Sequence, residues 1–133
     1  MACDSEATTR EIVDLLYDAY TSGNLANMLD LIADDATVTF VGQGTFQGRA
    51  AFEPYMRWAG AQLPELDFRV RRIIVEGEFA AVTWDEEGKT ARGEVWSAQG
   101  VDVFRVVGGK ITELTDYSDT DKINRLLDRY PGL

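Results

Sequence analysis

No histidine occurs among the 133 residues. That absence excludes every mechanism built on an imidazole base, acid or metal ligand, from serine triads to histidine-bound zinc. Cysteine is nearly absent too. With Cys3 alone, the chain forms neither an internal disulfide nor a thiolate metal cluster. The apolar runs fall far short of the ~20 residues that a membrane helix needs. The first ten residues, MACDSEATTR, lack the apolar core of a signal peptide. The sequence therefore reads as a soluble, cytoplasmic protein with no membrane partner. Basic charge is scarce: 13 Lys and Arg stand against 23 Asp and Glu, a formal net charge of -10. A chain so charged is repelled by phosphate backbones, so nucleic acid is not expected as a partner. Most of the excess acid suits solubility, which leaves a few acids free to work inside a pocket.

Hydrophobic residues make up 45% of the chain, enough for one domain over 1–133 with a real core. The order of elements is helices first, strands second. Residues 7–21 read as a helix, with Thr8 and Glu11 at capping-box spacing and Ile12, Leu15, Leu16 and Ala19 as an apolar stripe. Asn24 caps a second short helix holding Leu25, Met28, Leu29 and Ile32, which ends at Asp34-Asp35. A strand follows over 36–41, then a loop marked by Gly42, Gly44 and Gly48. A third helix covers 49–61, with Pro54 near its first turn, where a missing N–H does least harm. Strands are expected over 66–75, 79–87, 94–107 and 110–118, with Gly108-Gly109 as a hairpin turn. Asp119 or Thr120 caps a last short helix. The class is α+β, with helices covering one face of an antiparallel sheet.

Three stretches carry a resemblance: Leu25 to Gly48 with the following Arg49, which contains LIADDATVTFVGQGTFQGR, GVDVFRVVGGKITELTDYSD from Gly100 to Asp119, and the strand from Val82 to Glu86. They resemble the SnoaL-like, ketosteroid-isomerase-like and limonene-epoxide-hydrolase-like group of the nuclear transport factor 2-like fold, over about residues 8–120. The resemblance implies a cone: three N-terminal helices packed on a strongly bent, mostly antiparallel sheet, with an apolar pocket inside. It also implies chemistry without a metal or organic cofactor, an apolar small-molecule ligand and a homodimer formed through the outer sheet face.

Three acids stand where the group keeps working carboxylates. Asp102, in VDVFRV, matches the aspartate that ketosteroid isomerases hold protonated to donate to an oxyanion. Trp96, Ala98, Gly100, Asp102 and Phe104 alternate onto one face, so burial alone would keep this acid neutral; pairing with an arginine in the sheet is the other reading. Asp116, in ELTDYSD, matches the last-strand acid of the epoxide hydrolases and SnoaL-like cyclases, and shares a face with Leu114 and Ser118. Glu86 falls where the hydrolases have their second aspartate, although a one-residue slip would put Asp85 there. Two carboxylates in a dry cavity cannot both ionise easily, which separates an acid from a base at neutral pH.

The departures from the group are equally specific. The isomerase base on the first strand is Phe40 here, and the isomerase tyrosine falls at Leu16, so Tyr17 or Tyr20 would serve only in a shifted register. The hydrolase tyrosine and asparagine are Val38 and Phe40, the hydrolase arginine is Trp84, and a histidine of some cyclases is Leu114. Val38, Phe40, Trp84 and Leu114, together with Tyr20, Tyr55 and Trp58, are the expected apolar substrate lining. Arg69 and Arg71 share a strand face, where pairing with cross-strand acids is expected.

Overall fold

The computed structural model describes residues 2–127 and Tyr130. Helix α1 runs over Ala2–Thr21. It starts earlier than the capping-box reading predicts, because neither glycine nor proline interrupts residues 2–21. Its buried face also differs from the aliphatic stripe. Val13, Leu16 and Tyr17 are buried, Ile12 is only half-buried, and Leu15 is 44% exposed. The helix is thus turned by about one residue, which brings the Tyr17 ring inward. Thr9, fully buried, donates to the carbonyl of Gly77 at 2.9 Å and anchors this helix on the far end of the sheet.

Helix α2 spans Leu25–Asp30, with the Asn24 side chain accepting from the Asn27 N–H at 3.1 Å. It stops before Ile32, and Asp34-Asp35 lie inside strand β1, Ile32–Phe40. Ile32 is fully buried and pairs with Ile111, so its burial favours the sheet over another helical turn. The expected glycine loop contains a strand, β2, Gly44–Gln47, folded back on β1. Helix α3 covers Arg49–Gln62 and buries Phe52 and Tyr55. Strands β3 (Glu65–Glu76), β4 (Phe79–Lys89), β5 (Val95–Val107) and β6 (Lys110–Ser118) lie close to the expected ranges, and α4, Thr120–Leu126, is the last element among the described residues.

The six strands form one sheet in the order β2-β1-β6-β5-β4-β3. Every pairing is antiparallel except β1 with β6. One face receives the helices and holds the core, in which Phe52, Phe104, Ile32, Ile111, Val13, Val38 and Val82 are fully enclosed. Truncating Phe52 or Phe104 to Ala at this depth costs about 3–5 kcal/mol. On the opposite face Val103, Ile74 and Tyr117 remain 37–52% exposed. No described helix is long and apolar enough to cross a membrane.

Candidate active site

The sheet register decides which acids face the core. On β5 the alternation is sharp: Trp96, Ala98, Asp102 and Phe104 are buried, while Val95 is 77% exposed. Asp102 on β5 lies directly opposite Asp116 on β6, a spacing that brings Cβ atoms to within about 5 Å. On β4 the register puts Glu86 inward and buried. Asp85 points outward, where Arg69 Nε donates to it at 2.9 Å and Arg71 Nε at 2.7 Å. Those two guanidiniums, Arg69 first, hold the Asp85 carboxyl below its ordinary range. The alternative register and the cross-strand arginine pairing are both settled by this contact. Asp102 has no arginine partner among the described contacts; its partners are Tyr17 and Asp116.

Tyr17 donates its hydroxyl to Asp102 Oδ2 at 2.5 Å. The other oxygen, Oδ1, is buried and makes no hydrogen bond of ordinary geometry. Burial first, and the Asp116 charge second, push the Asp102 carboxyl well above its usual range. Burial raises Asp116 as well, but the neighbouring Asp102 and Ser118 side chains oppose that rise. Burial thus disfavours the charged form of both acids, and that of Asp102 the more strongly. Burial, with a smaller push from Asp116, lifts Glu86 to about 8. Burial likewise raises Tyr17, ahead of the charge on Asp102.

A cavity of about 130 Å³ joins these groups, with Asp102, Asp116 and Glu86 in its wall alongside Tyr20, Phe40, Tyr55, Trp84 and Leu114. Trp84 crosses β5 at Gly100. A Cβ there would stand 2.6 Å from the Trp84 ring and 2.4 Å from the Tyr117 carbonyl, so only glycine admits the indole at this point. The indole N–H lies near enough to Asp102 to favour its charge slightly, yet it makes no hydrogen bond of ordinary geometry. Ile123 and Leu127 close the α4 end. There Gln43 accepts from the Tyr55 hydroxyl at 3.3 Å and donates to Asn124 at 3.2 Å.

Two expected lining residues lie elsewhere. Val38 is fully enclosed in the core beneath β2 and α3, where it pairs with Phe46 and Leu114. Trp58 packs against Tyr55, with ring centroids 5.8 Å apart, so that Tyr55 stands in the cavity wall in its place. Tyr17, which the sequence admits only in a shifted register, enters the wall and bonds to Asp102. Gln43 and Ser118, the other polar members of the wall, carry no distinguishing sequence signal.

A family profile described as the SnoaL-like domain matches residues 13–114. No curated protein matches the sequence. Among solved structures, a candidate SnoaL-like polyketide cyclase from Jannaschia sp. superposes with a TM-score of 0.82 at 17% identity, covering 96% of each chain. A nuclear transport factor 2-like protein of unknown function from Burkholderia pseudomallei gives 0.81 at 22% identity, covering 90% of this chain and 96% of its own. TerC, co-crystallized with polyporic acid, gives 0.79 at 20%, covering 90% of this chain and 97% of its own. At such identities the structural likeness is one of fold. The profile spans most of the chain: this protein belongs to the SnoaL-like family, and its fold is that of the nuclear transport factor 2-like proteins.

Proposed function

We propose that this protein is a cofactor-free enzyme that moves protons on an apolar, carbonyl-bearing small molecule, in an isomerisation, cyclisation or epoxide opening. The observation that carries the reading is the Asp102–Asp116 pair, opposed across β5 and β6 in the wall of an aromatic cavity. Asp116 is the base: it takes a proton from carbon beside the substrate carbonyl. Asp102, protonated and held by Tyr17, positions Asp116 and keeps its charge localised. Glu86, also protonated at neutral pH, gives a proton to the developing oxyanion. Its cross-strand partner is Ala98, four residues from Asp102, or roughly 13 Å along an extended strand. A substrate ring fits between the two acid positions, over Trp84. The unpaired indole N–H is a further donor for a substrate oxygen. Acid–base help of this kind is worth about 100- to 10,000-fold.

The test is solvent deuterium incorporation into 2-tetralone, an enolisable bicyclic ketone. The wild-type protein should accelerate exchange beside the carbonyl, and Asp116→Asn should lose about 100-fold or more of that acceleration. Equal exchange by the two proteins would overturn the reading.

A binding-only role is the alternative that Phe40 favours, since it fills the place where the isomerase base is expected. Retention of an unchanged apolar ligand in native mass spectrometry, with no exchange activity, is its signature. In either role we infer a homodimer through the outer sheet face, where Ile74, Val103 and Tyr117 are exposed. A monomer in light scattering at micromolar concentration would refute it.

A further inference from the structure

The cavity beside the acids is small for its lining. At about 130 Å³ it is close to the engineered ~150 Å³ cavity that takes up a single benzene ring. Ligand sites ordinarily run from about 300 to 1,000 Å³. A larger hollow of about 600 Å³ lies beyond its wall, between the end of α1, α2, the C-terminal half of α3 and the start of β3. Tyr20, Met28, Met56, Ala59, Leu63 and Phe68 line both spaces. The two are therefore separated by a wall one side chain thick. Two members of that wall are methionines, unbranched side chains that change rotamer readily, and Met56 is only half-buried.

The hollow is apolar for most of its surface, with Leu25, Pro64 and Leu66 beyond the shared wall. Its charged rim groups already have partners. Arg57 pairs with Glu53 at 3.1 Å and Asp67 with Arg69 at 3.4 Å. Nothing in the lining calls for a charged ligand. Gly60 of α3 opens directly onto this space: a Cβ placed there meets no atom within 4 Å.

We propose that the inner cavity and the hollow form one bipartite site. A ring-sized carbonyl or enol head sits among Asp102, Asp116 and Glu86, and an uncharged apolar body passes between Met28 and Met56 into the hollow beside Gly60. The ligand class is a ring-headed molecule with a hydrocarbon or polycyclic extension. Met28 and Met56 set the thickness of body that is admitted. Only the chemistry assigned to the head rests on the proton-transfer reading; the division into two compartments does not.

The experiment compares phenol, an enol-like head alone, with 4-butylphenol, the same head with a short body. Binding is followed by calorimetry and by tryptophan fluorescence. Each buried methylene is worth about fourfold in affinity, so 4-butylphenol should bind wild-type protein at least tenfold more tightly than phenol. Gly60→Phe fills the hollow, and the variant should fold, because an interior helical glycine is itself unfavourable; its melting curve checks this. It should abolish the butyl advantage and leave phenol affinity unchanged, while Gly60→Ala preserves both. Equal affinity for the two probes, a butyl advantage that survives in Gly60→Phe, or failure of either probe to bind at millimolar concentration would overturn the proposal. Exchange of 2-tetralone by Asp116→Asn tests the head separately. If that variant exchanges as wild type does while Gly60→Phe still removes the butyl advantage, the bipartite site stands and the proton-transfer reading falls.

Discussion

Asp102 on β5 and Asp116 on β6 are direct cross-strand partners, and the Tyr17 hydroxyl fixes Asp102 from the helix above. Burial disfavours the ionisation of both, and the proposed mechanism leaves the proton on Asp102. Asp102 is the acid, so an amide of the same shape should replace it well. Asparagine can accept from Tyr17 and donate to Asp116. The sign for stability follows from the raised carboxyl: the folded state holds a proton that the unfolded chain releases above about pH 4. Stability is full below that pH and is lost as pH rises towards the folded value. Asp102→Asn should therefore remain within about 1 kcal/mol of wild type, or gain stability, at pH 7, with a flatter profile between pH 5 and 9. Asp102→Ala leaves the Tyr17 hydroxyl unpaired and should lose about 1–3 kcal/mol. Urea denaturation across that pH range measures both.

Glu86 gives a sharper pH window, since its carboxyl is pushed up to about 8 by burial. An unfolded glutamate releases its proton near pH 4.3. Between those values the folded state binds more protons, so stability falls as pH rises, by about 5 kcal/mol at most. Glu86→Gln should match wild type at pH 4 and exceed it by about 2–4 kcal/mol at pH 9. In exchange assays with 2-tetralone, the loss of rate as pH rises through 8 should vanish in this variant, at a lower plateau. Asp85→Asn provides the contrast. Its carboxyl is surface-exposed and paired to Arg69 and Arg71, so its effect on stability should be small and salt-dependent, with exchange activity unchanged.

Tyr17→Phe removes the donor to Asp102 Oδ2 and leaves both Asp102 oxygens without one. A buried acceptor stripped of its partner costs about 1–3 kcal/mol. The Tyr17 hydrogen bond favours ionised Asp102, so its loss should also raise the Asp102 carboxyl further. Guanidinium unfolding gives the first quantity. The pH titration of the carboxyl carbon resonance of Asp102 gives the second.

The alternation of β5 made the inward face of Asp102 legible, because Trp96, Ala98 and Phe104 sit at even steps from it. The pairing of Asp102 with Asp116 was not legible, since a cross-strand partner depends on register across the Gly108-Gly109 hairpin. Glu86 and Asp85 are adjacent, so parity alone cannot choose between them; the answer lies in Arg69 and Arg71 on the neighbouring strand. Tyr17 was hidden for a different reason. Of the stripe Ile12, Leu15, Leu16 and Ala19, the helix buries Leu16 and Ala19, and it takes Val13 and Tyr17 in place of Ile12 and Leu15. An amphipathic helix with apolar residues on both candidate faces has its rotation set by what it packs against, and here the tyrosine is held by a buried acid.

Gly100 is the position at which the aromatic wall depends on a missing side chain. Its Cα hydrogen lies where the Trp84 ring passes over β5, and a methyl group there would stand 2.6 Å from the ring and 2.4 Å from the Tyr117 carbonyl oxygen. A ring can turn aside, but a strand carbonyl cannot move without disturbing the β5–β6 pairing that opposes Gly100 to Ser118 and Asp102 to Asp116. Gly100→Ala should therefore cost about 1–3 kcal/mol, as overpacking of a fitted core does. It should also shift the tryptophan emission, since Trp84 is only 3% exposed and must leave its slot. The acid pair should respond as well. With the strand displaced, Asp102 and Asp116 lose their opposition, and exchange activity should fall more than stability alone explains. Thermal unfolding, emission spectra and 2-tetralone exchange on the same variant test this chain of causes. An unshifted emission spectrum with wild-type exchange would mean that the glycine serves the backbone alone.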